Sequence, residues 1–171
     1  MIKTYGFYGI LQLLIFKIRT KFVFYNARII RFHLTINEKD YKRVFDGQEQ
    51  SVKNHGHVLT KDCPDLYNDC DAMFLPSHLE CFSAFYPEAM KMKRPILTSD
   101  LSFATIVCGD VALYFDNLNA KDISEKIKSL FHSKTLYDAL KARGVERLLS
   151  FSDSRQQALK YLETCKEITS N

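Results

Sequence analysis

Two carboxylates, Glu80 and Glu88, stand with seven residues between them in the stretch FLPSHLECFSAFYPEAM, which runs from Phe74 to Met90. Cys81, Phe82, Ser83 and Ala84 follow the first acid, and Pro87 directly precedes the second. An ionised carboxylate only accepts hydrogen bonds, and it can take two or more hydroxyls at once. Taken singly, each acid has an ordinary reading. Glu88 early in a helix favours the helix dipole by about 0.3–1 kcal/mol, and Glu80 is a solvated loop acid. Together they flank a small-residue loop where a strand hands over to a helix. Such a junction leaves free N–H groups aimed at an anion. Amides on a pyrophosphate, with carboxylates on hydroxyls at each end, describe a grip on a nucleotide diphosphate sugar.

The elements around this loop alternate. Ile30, Phe32, Leu34 and Ile36 alternate with Arg31, His33 and Thr35, so residues 29–36 predict a strand. Asn37 caps a polar helix, EKDYKRVF, expected to stop near Asp46-Gly47. GHVLT predicts a short strand, and Pro64 opens a helical turn containing Leu66 and Tyr67. DAMFL is a strand, PEAMKMK a helix, RPILTSD a strand, LSFATIVCG a helix stopped by Gly109, and VALYF a strand. Three helical stretches follow, AKDISEKIKSLF, KTLYDALKARGVERLL and DSRQQALKYLETCKEI, and residues 7–20 also predict a helix. Strands alternating with helices predict an α/β fold, a Rossmann-like parallel sheet flanked by helices. Ligands of such sheets sit at the carboxyl ends of the strands, where the Glu80–Glu88 loop lies. No internal repeat or linker divides the 171 residues, so one domain is expected.

Composition excludes several classes. An apolar content of 46% is ordinary for a globular chain, and a formal charge of +4 permits an anionic ligand or an acidic membrane surface without requiring either. The basic residues between Phe16 and Phe32 read as a solvated helix end, and peripheral contact with the inner face of a membrane stays open. No RNP-like motif, zinc-finger spacing or long basic helix is present, so nucleic acid is not expected as a partner. Five cysteines at irregular spacing, with no CxxC, fit a reducing compartment such as the cytoplasm and give no metal-ligand set. The apolar stretch Tyr5–Phe16 is far short of the ~20 residues that span a bilayer, and it lacks the cleavage site of a signal peptide.

From LPSHLECFSAFYPEAM through RPILTSD to CGDVALYF and the helix beyond, the chain resembles the C-terminal domain of the group 1 family of retaining glycosyltransferases. That family reads roughly P-S-x-x-E-G-F-G-L-P-x-x-E-A-M, then a strand ending in S-D. Pro76, Ser77, Glu80, Phe82, Glu88, Ala89 and Met90 fall in register with it, as do Pro95, Ser99 and Asp100. The resemblance covers residues 29–165, with residues 1–28 divergent or truncated. It implies a two-domain enzyme that moves a sugar from a nucleotide diphosphate sugar to an acceptor hydroxyl, in surface polysaccharide or glycoconjugate synthesis. It gives Glu80 a place beside the transferred sugar with a catalytic role. The backbone of Cys81, Phe82, Ser83 and Ala84 becomes the loop approaching sugar and phosphate. Glu88 holds the ribose hydroxyls, and His57 lies where the base pocket begins, unless His55 and His57 are simply exposed loop histidines. No cofactor and no metal are implied.

The chain departs from the family pattern at several places. Cys81 and Ser83 stand where the family has glycines. Glycine there allows positive φ, and a serine in that conformation would cost about 1 kcal/mol. The acceptor domain and the first strand of the donor domain, with its pyrophosphate-binding arginine and lysine, have no counterpart in the sequence. In the order 3-2-1-4-5-6 that strand is central, so a gap is expected between residues 29–36 and 71–75. KFVFY is too close to Ile29 to fill it, because a parallel crossover needs about a dozen residues. The expectation is therefore an incomplete C-terminal domain that works with a separate acceptor-binding domain or chain. The rival reading is an inactive or partner-binding remnant of such an enzyme.

Overall fold

A computed structural model describes residues 30–45, 52–81, 83–152 and 154–169. The helix expected at 7–20, the stop at Asp46-Gly47 and the loop residue Phe82 lie outside them. So does KFVFY, and with it the question of what stands between the strands expected at 29–36 and 71–75.

In chain order the elements are β1 (Phe32–Leu34), α1 (Glu38–Phe45), β2 (Val52–Asn54), a short 3-10 turn (Thr60–Asp62), α2 (Cys63–Asn68), β3 (Met73–Leu75), α3 (Phe85–Lys91), β4 (Ile96–Ser99), α4 (Ser102–Cys108), β5 (Ala112–Phe115), α5 (Ala120–His132), α6 (Lys134–Leu148) and α7 (Ser154–Thr169). Every strand pairing among the described residues is parallel. β1 lies beside β2 with Phe32 opposite Val52, β3 beside β4 with Met73 opposite Ile96, and β4 beside β5 with Ile96 opposite Ala112. Among the described residues these make a two-stranded and a three-stranded sheet.

β3 and β4 are buried throughout, as strands covered on both faces must be. The period of two sorts their side chains. Met73, Leu75 and Ile96 join Tyr67, Tyr86, Ala89, Met90, Ala104 and Cys108 on the side of α2, α3 and α4. Phe74 and Leu97 join Leu34, Val52, Phe115, Ile127, Leu130 and Leu140 on the side of α5 and α6. This second cluster draws on both sheets, so one core unites them. Phe74 stacks on Phe115 with ring centroids 5.1 Å apart and tilts against Phe32 at 5.9 Å.

The helix ends follow their sequence signals. Asn37 Oδ1 accepts from Asp40 N at 2.9 Å, and Asn119 Oδ1 accepts from Lys121 N at 3.1 Å and Asp122 N at 3.2 Å. Gly109 ends α4 at φ 59°, ψ −122°, a backbone region that suits glycine.

Two expectations need correction. GHVLT is not a strand; the strand lies earlier, at Val52–Asn54. Val52 supplies the buried side chain. Asn54 then takes over the backbone of Ile36, its Nδ2 donating to the carbonyl at 2.9 Å and its Oδ1 accepting from the N–H at 3.2 Å. Gly56, at φ 65°, turns the chain away. The helix written as PEAMKMK begins two residues earlier, at Phe85, so Pro87 sits inside its first turn, where the missing N–H costs no helical bond.

Candidate functional site

The carboxyl ends of β3, β4 and β5 lie at one edge of the three-stranded sheet, and their loops are tied together there. Ser99 Oγ, at the end of β4, donates to Ser77 O at 2.7 Å. Asn117 Nδ2, just past β5, donates to the same carbonyl at 3.1 Å and lies 3.1 Å from His78 Nδ1. Ser77 Oγ in turn donates to Glu80 Oε1 at 3.0 Å. Glu80 is thus a half-buried carboxylate on a loop pinned from two neighbouring strands.

Glu88 lies one turn into α3, half-buried, and accepts from the hydroxyl of Tyr67 at 3.3 Å through Oε2. Burial pushes its pKa above the usual carboxylate range, and the Tyr67 hydrogen bond pulls the other way. Burial, reinforced by the Glu88 charge, raises Tyr67 far above an ordinary phenol. Burial and then Glu88 raise the thiol of Cys63 as well.

Between the acids, Cys81 and Ala84 are exposed and Ser83 is buried. Lys93 is the only non-glycine residue with positive φ among the described residues. Cys81 therefore sits where the family has a glycine without left-handed strain. Ser83 Oγ is buried with no hydrogen-bond partner among the described residues. Beneath the loop, Tyr86 hydroxyl and Thr98 Oγ1 share a 2.9 Å hydrogen bond, and burial pushes Tyr86 up to about 12.

The loop thus brings Glu80, Cys81, Ser83, Ala84 and Glu88 into one segment at a strand end. His57 is not joined to them by any hydrogen bond; it is exposed in the bend after β2. His55 instead stacks on His33, with Nε2 2.7 Å from His33 Nδ1. Asn117 and His78 escaped notice in the sequence. The signal for Asn117 was its place just beyond a strand's carboxyl end. No group of three or more His, Cys, Asp or Glu side chains that could hold a metal ion occurs among the described residues. No helix among them is long and apolar enough to cross a membrane.

Comparison with known proteins gives a consistent picture. A family model described as "Glycosyl transferases group 1" matches residues 22–133. The capsular polysaccharide biosynthesis glycosyltransferase CapM of Staphylococcus aureus is 28% identical over 116 residues, which is 67% of this chain but only 30% of that protein. Sucrose-phosphate synthase from Thermosynechococcus elongatus superposes with a TM-score of 0.69 at 17% identity, over 81% of this chain and 38% of its own. A glycosyltransferase from Rickettsia africae gives 0.65 at 18% identity, over 78% and 36%. At such identities the structural likeness speaks for the fold, with its parallel sheets flanked by helices.

Proposed function

The chain belongs to the group 1 glycosyl transferases, and from that premise we propose that it is the nucleotide-sugar-binding portion of a retaining member of that family. In this reading Glu88 accepts the hydroxyls of the donor ribose and Glu80 stands beside the transferred sugar. The backbone of Cys81 to Ala84, with Phe82 among them, approaches sugar and phosphate, and His57 borders the base. The observation that carries it is the pair of half-buried carboxylates flanking one loop at the carboxyl end of β3, each already fixed by a hydroxyl, Ser77 on Glu80 and Tyr67 on Glu88. Carboxylates held this way cost little further ordering when they accept sugar hydroxyls.

Transfer itself needs an acceptor hydroxyl held about 3–3.5 Å from the reacting carbon. The chain spans about 30% of its curated relative, and we assign acceptor binding to a separate domain or chain. α7 favours this. All its residues from Arg155 to Thr169 are exposed, and Leu159, Leu162 and Ile168 lie bare at 51%, 58% and 72%. The setting proposed is surface polysaccharide or glycoconjugate synthesis in the cytoplasm, at the inner face of the membrane.

The test is a thermal-shift screen of the purified chain against uridine, guanosine and adenosine diphosphate sugars. One of the three should raise the unfolding temperature in a concentration-dependent way. If none does at millimolar concentration, the donor-binding reading falls.

A further inference from the structure

Tyr67 is 1% exposed and packs among Met73, Leu75, Tyr86, Ala89 and Met90. A phenylalanine would fill the same ring volume. The hydroxyl is the one part of the side chain that packing does not explain, and a buried hydroxyl is costly unless it is bonded. Its single hydrogen bond among the described residues runs to Glu88 Oε2, across 21 positions of sequence. Pro64 at the start of α2 fixes the helical turn that delivers it.

We infer that Tyr67 is a positioning residue for Glu88: its buried hydroxyl holds Oε2 and leaves Oε1 for the ribose hydroxyls of the donor. This rests on the reading of Glu88 as the ribose-binding carboxylate. A carboxylate on a three-bond side chain samples several rotamers, and a donor rooted in the core selects one. The same hydrogen bond favours the charged form of Glu88 against its burial, and the charged form is the one that can accept two hydroxyls. The 3.3 Å separation is long for a hydroxyl on a carboxylate, so an effect at the low end for such a bond is expected.

Tyr67→Phe tests this, with uridine, guanosine and adenosine diphosphates as probes in calorimetric titrations across the acid and neutral pH range. The variant should bind the recognised ribonucleotide about three- to tenfold more weakly. Its binding should fade at a higher pH on acidification than that of the wild type, because Glu88 has lost the group that opposes its protonation. The dideoxyribose counterpart of the same nucleotide should bind both proteins equally, and in a Glu88→Gln background Tyr67→Phe should have no further effect. Equal affinity and an equal pH profile for Tyr67→Phe and wild type, with Glu88→Gln still weakened, would reduce Tyr67 to a core residue. Equal losses for the ribose and dideoxyribose forms would also overturn the inference, since general damage spares neither. An unchanged affinity in Glu88→Gln itself would bring down the ribose reading and this inference together.

Discussion

At the scale of the residue, the ribose-binding role proposed for Glu88 falls on a carboxylate that carries an energetic penalty. Its folded pKa is raised, by burial first. A raised carboxylate contributes its stability at low pH and loses it as pH rises through the folded value. Glu88→Gln cannot titrate. It should therefore unfold at no lower temperature than the wild type at neutral pH, and any advantage should shrink as pH falls. Thermal scans at neutral and acid pH check this, and a wild type clearly more stable at neutral pH would contradict it. Glu80→Gln should also spare the fold, because Ser77 can still donate to the amide oxygen. In an enzyme reassembled with its acceptor-binding part it should lower turnover, because it removes a negative charge beside the developing positive charge on the sugar. An unchanged turnover number would take Glu80 out of catalysis. The sequence singled out both glutamates as candidates because they flank a small-residue loop between a strand and a helix, with the family's segments in order on either side. Tyr67 could be placed in its helical turn but not under Glu88, since tertiary packing across 21 residues makes that contact.

At the scale of the element, two glycines with opposite consequences separate backbone demand from space. At Gly109 an added Cβ would meet nothing within 4 Å, but φ is 59° with ψ −122°. Gly109→Ala should cost about 1–3 kcal/mol through backbone strain alone. At Gly144, inside α6, the Cβ would meet Met90 Cγ at 3.6 Å, an ordinary contact. Gly144→Ala should stabilise by roughly 0.5–1 kcal/mol, mostly by restricting the unfolded chain. Denaturant midpoints measure both, and the same sign for the two would refute the distinction. Helices were legible because caps and stops are local, as Asn37 and Gly109 illustrate. The strand expected at GHVLT was misplaced for a non-local reason. Apolar residues there suggested pairing, but Val52 is the side chain that reaches the core, and Asn54 closes the ladder through Ile36. The first of the family's glycine positions carried a similar lesson: Cys81 is accommodated because its φ is not positive, which sequence cannot show.

At the scale of the whole molecule, the parallel α/β architecture followed from the alternation of apolar runs and helical stretches. The sharing of one core by two sheets did not, because it depends on contacts such as Phe32 on Phe74 and Phe74 on Phe115. The chain by itself should show no glycosyl transfer. Holding an acceptor in line supplies several kcal/mol of barrier reduction, and that task is assigned elsewhere. A radiolabelled-sugar transfer assay on the purified monomer checks this, and multiple turnover would show that the chain holds its own acceptor. The most direct measurement is calorimetric titration of the wild type and Glu88→Ala with the diphosphate sugar that the thermal screen selects, both proteins first shown to be fully folded at the titration temperature. Loss of a hydrogen bond to a charged group should weaken the variant by about 1.5–3 kcal/mol, roughly ten- to a hundredfold. Equal affinities would mean that the donor sugar nucleotide is not held by Glu88.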